Sequence, residues 1–309
     1  MKVAICIATY QRPRLLGRLL ASINSLEVGA EVAQNLCVFV VDNDATASAR
    51  SVVEAARPGF RWSLSYTVEP VRNISLARNR GVQLALSSGA RFVAFVDDDE
   101  EVSPSWLAEL LDVQDKYSAD VVSGRIVPRL PRRVPGWVRR RDFYGRGGGK
   151  TGASVSGADT GNSLVSAKLL SLFPGPFEPA FGLSGGGDSH FFLRARARGA
   201  KIVCSNDAIV IENIPPNRAT AQWLLKRAFR EGNGAALIDR DMHTLLGWFP
   251  RRLAKATGRT AVGVLMLVVA PLHGRAGVVA ALQHVCRGLG SYAGILGFRV
   301  IAYRTVDGD

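Results

Sequence analysis

Four consecutive acids, Asp97 to Glu100, stand directly after the apolar run Phe92-Val93-Ala94-Phe95-Val96. Carboxylates crowded at a strand end repel one another unless a cation holds them, and oxygen ligands at positions i and i+2 suit magnesium or manganese. A diphosphate sharing that cation is the natural ligand, because the metal neutralises charge developing on a phosphate leaving group. The alternative is an acidic turn capping the helix that opens near Pro104, a role that needs only one acid. A further acid, Asp42, ends the buried run in Val40-Val41-Asp42-Asn43-Asp44. There a carboxylate can accept hydrogen bonds from a nucleobase or ribose, although Asp and Asn are also ordinary turn residues. Asp188 follows Gly185-Gly186-Gly187 and precedes a helical pattern from His190. Three glycines let backbone approach a ligand closely, and Asp188 at the start of that helix can serve as N-cap or as general base.

The elements that must position these acids are legible as short β-rich apolar runs at Val3 to Ala8, Leu36 to Val41, Leu64 to Val68, Arg91 to Val96 and Asp120 to Ser123. Buried parallel strands have this pattern. Helical spacing falls between them at Arg14 to Ser25 and Leu76 to Leu86, and another helix is expected to open at Pro104-Ser105-Trp106-Leu107 with Ser103 as its N-cap. Alternating β and α predict an α/β fold with a doubly wound sheet and a ligand crevice at the carboxyl ends of the strands. Thr9, Asp42 and Asp97 to Glu100 all fall at those ends.

With 309 residues, 47% hydrophobic and 21% charged, the chain can bury a full core, and disorder is not expected. Its formal charge of +13 implies an anionic partner: nucleic acid, a phosphorylated substrate or an acidic membrane surface. Cys6, Cys37, Cys204 and Cys286 form no CxxC pair and read as core thiols of a reducing compartment. The four histidines show no zinc spacing, so a metal here would be hard and oxygen-bound. Met1 to Ala8 stops at Thr9-Tyr10-Gln11-Arg12-Pro13 without a cleavage site and is read as a first strand, not a signal peptide.

From Arg125 to Gly161 periodicity fails, and arginines including Arg132, Arg133, Arg139, Arg140, Arg141 and Arg146 mix with Trp137, Phe143 and Tyr144. This is either a long functional or interfacial loop or a solvated basic one. After Pro215-Pro216 comes a basic amphipathic helix, Trp223 to Arg230, and then two apolar stretches, Ala261 to Ala270 and Gly288 to Tyr303. The first is half the roughly 20 residues needed to span a bilayer. The C-terminal third is expected to be a monotopic membrane-associated appendage, with ordinary core helices as the alternative.

Taken together and in order, Ala8-Thr9-Tyr10 with Arg12-Pro13, Val41-Asp42-Asn43, Asn73-Ile74-Ser75-Leu76-Ala77-Arg78-Asn79-Arg80-Gly81, Phe95-Val96-Asp97-Asp98-Asp99-Glu100 and Gly186-Gly187-Asp188 resemble the family 2 glycosyltransferases. The resemblance covers about residues 1 to 232. The runs Ala158 to Leu164 and Phe181 to Gly186, with the basic helix after Pro215-Pro216, are similar to the bacterial exopolysaccharide branch, which includes succinoglycan-type glucosyltransferases.

The resemblance implies a GT-A type nucleotide-binding catalytic domain over 1–232 and a helical, partly apolar, membrane-associated region over 233–309. It implies inverting transfer of a hexose from a UDP-sugar to a saccharide or lipid-linked acceptor, in exopolysaccharide or cell-surface glycan assembly. Ala8, Thr9, Asp42, Arg78, Asp97 and Asp98 would bind the nucleotide sugar, Asp97 and Asp99 a divalent manganese or magnesium, and Asp188 would be the catalytic base. Where the family has Glu-Asp, Gly187 precedes Asp188, so an acceptor-orienting acid is missing; Glu212 is the nearest match to a later metal-contacting histidine of some relatives. The implied partners are the donor, the acceptor and an anionic membrane surface, with no nucleic acid. The implied location is cytoplasmic, peripheral at the inner face of the cell membrane.

Two rival readings remain at this point. A nucleotidyltransferase making sugar nucleotides would want a glycine-rich basic loop after the first strand, and Thr9 to Leu16 has no glycine. A basic nucleic-acid-binding protein would draw on the arginine run, but no binding motif accompanies it and the acids would repel phosphate.

Overall fold

The computed structural model describes residues 1–301; residues 302–309, with the end of the run Gly288 to Tyr303 and of the 233–309 region, lie outside the described residues. The strands are β1 Val3–Thr9, β2 Leu36–Asp42, β3 Ser63–Val68, β4 Phe92–Phe95, β5 Glu100–Val102, β6 Val121–Arg129, β7 Ser163–Ser166 and β8 Ile202–Asn213. The helices are α1 Pro13–Asn24, α2 Ala30–Ala33, α3 Arg50–Ala56, α4 Ile74–Ser87, α5 Trp106–Tyr117 and α6 Gly136–Arg139. They continue with α7 Ala167–Leu170, α8 Gly187–Ala197, α9 Ala221–Met242, α10 Leu245–Val269 and α11 Gly274–Ile295.

All eight strands form one sheet in the order β3-β2-β1-β4-β7-β6-β8-β5. Strand side chains alternate between faces. Val3, Ile5 and Ile7 of β1 enter the core beneath α1 and α5, while Ala4 and Cys6 enter the one beneath α4 and α8. Burial on both faces explains why β1 reads as a continuous apolar run. The sheet is mixed rather than wholly parallel: β7 runs antiparallel to β4 and β6, and β5 antiparallel to β8. These two strands are only four and three residues long and polar at their ends, too short to show a periodicity.

The expected N-cap also moves. Ser105, not Ser103, caps α5, and it does so without a side-chain hydrogen bond. Pro104 and Ser105 form a turn ahead of the helix, across which the Ser103 carbonyl accepts from Trp106 N at 3.0 Å, so the helix proper begins only at Trp106.

The C-terminal helices pack as a unit. α9 runs unbroken through residue 232, so the boundary expected between 232 and 233 falls inside a helix. α10 and α11 form an antiparallel hairpin, closed at Gly274, whose φ of +61° suits glycine. α11 lies so close to α9 that a Cβ at Gly290 would stand 1.9 Å from the Phe229 carbonyl oxygen. Gly290→Ala is therefore expected to cost about 1–3 kcal/mol through overpacking, read as a lower urea midpoint. An unchanged midpoint would mean that α9 and α11 are less tightly apposed.

Candidate active site

The carboxyl ends of β1 and β4 meet at the acid cluster. Asp98 turns inward and holds the β1–α1 connection: its Oδ2 accepts from Thr9 Oγ1 at 2.8 Å and its Oδ1 from Arg12 Nη1 at 2.9 Å. Asp99 Oδ2 receives Arg12 and Arg218, each at 3.1 Å. Asp97 Oδ1 pairs with Arg78 Nη2 at 2.9 Å. Arg78 is delivered by α4, which Asn73 caps by accepting from the backbone of Ser75 and Leu76.

A second group of acids gathers around one cation. Arg146 Nε lies 2.8 Å from Asp159, Nη1 3.0 Å from Glu212 and Nη2 3.8 Å from Glu100. Glu212 is the last residue but one of β8, Glu100 begins β5 and Asp159 precedes β7, so a single guanidinium ties three parts of the sheet together. The stretch expected to be irregular from Arg125 to Gly161 opens as the end of β6, through Arg129, and contains the short α6; after β6, Arg146 turns inward while Arg132, Arg133 and Arg139 to Arg141 stay exposed.

Asp188 sits in the first turn of α8 and is not its cap. The N-cap is Gly186, at φ +90°, and Asp188 Oδ1 accepts only from the adjacent Ser189 N, at 2.7 Å. Gly185 and Gly186 both take positive φ, a conformation that favours glycine. The tight turn they make aims Asp188 into a cleft of about 580 Å³. Ala8, Thr9, Arg78, Asp97, Asp98 and Asp99 line the same cleft.

Asp42 is the one expected site residue that the structure sets back from this space. It is wholly buried and accepts from Ala49 N, Tyr66 OH and Asp44 N, which orders the loop after β2. Its neighbour Asn43 lines the cleft instead.

Charge crowding shapes the acids' proton affinities. Burial, then the negative charge of Asp159, pushes Asp188 up to about 6 against the pull of Arg78. Burial also raises Asp97, with Asp159 and Asp99 adding to it and Arg78 opposing. Glu100 is raised well above its ordinary range by burial and by Asp97 and Asp99. Asp159 goes the other way: burial works against ionisation, but Arg146 and the Gly161 N–H hold it below the usual carboxylate value.

Oxygen donors crowded by like charge fit a hard divalent cation. Among the described residues the buried Glu100 Oε1 atom receives no hydrogen bond. Among the described residues no three acidic, histidine or cysteine side chains form a cage. Magnesium-like ions in such settings use one or two carboxylates and complete their shell with phosphate oxygens and water. Asp97 and Asp99 suit that arrangement.

Arg146, Asp159 and Arg218 join the site without a local signal in the sequence that gives them a role: Asp159 and Arg12 fall within the family-like runs, while Arg146 is one of many arginines and its inward turn distinguishes it.

Residues 4–173 match the family described as Glycosyl transferase family 2. The chain is 31% identical over 303 residues to the succinoglycan biosynthesis protein ExoM of Rhizobium meliloti (strain 1021), covering 97% of this chain and 95% of that one. Among solved structures, the mannosyltransferase PcManGT from Pyrobaculum calidifontis, in complex with GDP-Man and Mn2+, matches with a TM-score of 0.61 and 18% identity, over 94% of this chain and 87% of that one. S. aureus TarS 1-349 in complex with UDP matches with a TM-score of 0.51 and 17% identity, over 100% of this chain and 95% of that one. Against another TarS chain, this one spans 55% of the length. The sheet is of the GT-A glycosyltransferase type, and the chain belongs to glycosyl transferase family 2.

Proposed function

We propose that the protein is an inverting, metal-dependent hexosyltransferase acting on a UDP-sugar, with a saccharide or lipid-linked saccharide as acceptor. What carries this reading is that the strand-end acids and Asp188 face one cleft, which Arg78 and Arg146 also line. The UDP complex of TarS and the Mn2+ complex of PcManGT support the donor class and the metal, and the name of ExoM supports exopolysaccharide assembly.

Ala8, Thr9 and Arg78 would seat the nucleotide at the sheet end, and Asn43 is better placed than Asp42 to reach the base. Asp97 and Asp99 would hold a divalent manganese or magnesium, which when bound supplies positive charge for the diphosphate leaving group. Arg12 and Arg218 fix Asp99 in place. Asp188 removes the proton from the acceptor hydroxyl. A base near 6 is ionised at neutral pH and still accepts a proton readily. One base on the acceptor side implies direct displacement, so an α-linked donor gives a β-linked product. The basic surface and apolar hairpin support a cytoplasmic place at the inner face of the membrane, and no nucleic-acid partner is needed to account for the charge.

Thermal shift with a panel of UDP- and GDP-sugars, with and without Mn2+, tests the reading: a UDP-sugar should stabilise the protein only with metal. No stabilisation by any donor would sink it.

Asp159 gives a pH prediction. Its negative charge raises the proton affinity of Asp188, so Asp159→Asn should lower it, and the acid limb of the kcat/KM profile should move to lower pH. A limb that stays in place would show that Asp159 does not act on the base.

A further inference from the structure

The exposed arginines of the irregular segment and the apolar hairpin, far apart in sequence, share one surface. Trp137 and Val138 of α6 are buried against Ala276 and Val279 of α11, and Arg275 lies over the Trp137 ring at 5.4 Å. α6 is thereby docked alongside the first half of α11, with Arg139, Arg140 and Arg141 exposed at its end. Arg139 to Arg141 follow directly on the docked Trp137 and Val138, so their charge lies beside α11, and Arg259 stands exposed on α10. In keeping with that placement, burial first and then Arg287, Arg259 and Arg141 hold the pKa of His284 on α11 down.

On α10 beyond Arg259, and at the turn, the outer face is apolar and uncovered among the described residues. Val264, Leu265, Val268 and Leu272 are 53%, 69%, 78% and 85% exposed. Large apolar side chains clustered and exposed to this degree mark an interaction site. By length and composition the stretch Leu245–Ile295 could cross a membrane, but its packing argues otherwise. α11 is enclosed by α9, by α10 and at its start by α6, and a Cβ at Gly290 or Gly263 would collide with α9 or α11 backbone. Among the described residues of the hairpin, the outer face of α10 and the turn carry the most exposed apolar side chains, and Lys255 and Arg259 stand on α10 before the apolar strip begins.

We propose that the α10–α11 tip and the arginines at 139–141, with Arg259, form a single monotopic anchor that seats the tip in one leaflet and the arginines against anionic headgroups. This rests on the reading that the enzyme works at a membrane surface, and it adds which residues share the anchor and which side of the molecule faces the bilayer. Such helices bury their apolar face roughly 5–10 Å deep. Each basic residue at an anionic surface strengthens binding by roughly fivefold, so the three arginines together should matter by on the order of a hundredfold.

Co-sedimentation of the full chain with phosphatidylcholine vesicles, with and without phosphatidylglycerol, tests the proposal against two variants, R139Q/R140Q/R141Q and L265S/V268S/L272S. None of these residues lines the cleft, so donor binding serves as the folding control. The wild type should bind anionic vesicles at least tenfold better than neutral ones. The arginine variant should lose that preference, and the tip variant should lose binding to both. If the arginine variant keeps the full preference, the joint anchor is wrong while the membrane reading stands. If the wild type binds neither vesicle, the membrane reading falls with it. A wild-type dimer that becomes monomeric in the tip variant, without vesicle binding, would make the tip a self-association face instead.

Discussion

Asp188→Asn is expected to transfer sugar about two to four orders of magnitude more slowly than wild type while melting close to it. An amide cannot take the acceptor's proton. The helix loses nothing comparable, because Gly186 occupies the N-cap and the Asp188 carboxylate bonds only to the adjacent Ser189 N–H. Even a true cap would be worth on the order of 1 kcal/mol. Donor binding, followed by UDP-sugar titration with metal, should survive. Wild-type transfer by this variant would displace Asp188 from the role of base, and Glu212 would be examined next, although it is committed to Arg146.

Asp99 carries the second large effect, with a complication that the sequence did not disclose. A strand-end carboxylate looks expendable to the core, so Asp99→Ala would be expected to spare the fold. In the structure Asp99 receives both Arg12 and Arg218, and removing one partner of a buried pair costs about 3–5 kcal/mol. Asp99→Asn keeps an oxygen for the guanidinium groups and is the cleaner test. It should lower transfer by about two to three orders of magnitude, and EDTA should lower wild type similarly but add little to the variant, since effects through one metal are not additive. Full wild-type activity in EDTA would remove the metal from the mechanism.

The elements with strong local patterns were legible in the sequence. β1, β2 and β4 are apolar because both their faces are covered, and the acids that follow them had to lie at the sheet end. Asp188 was legible as a residue, but whether it caps α8 was not; the structure gives the cap position to Gly186, at φ +90°. β5 and β7 were not legible, because three or four residues carry no period. Neither was the Arg146 cluster. Its partners lie 13, 46 and 66 residues away along the chain, and nothing local distinguishes this arginine from the exposed ones before it. Asp42 shows the converse: a strand-end carboxylate in the expected position that the loop after it claims for itself.

α9 is 22 residues long, about 33 Å at the helical rise. Its Trp223, Arg227, Arg230, Gly234 and Ile238 line the cleft, while Gly232, Asn233 and Ala236, interleaved with them along the same helix, lie against α11. One face of α9 thus bounds the cleft and another carries the hairpin, with no loop between the two. Any displacement of α11 that α9 follows would carry cleft-lining side chains with it.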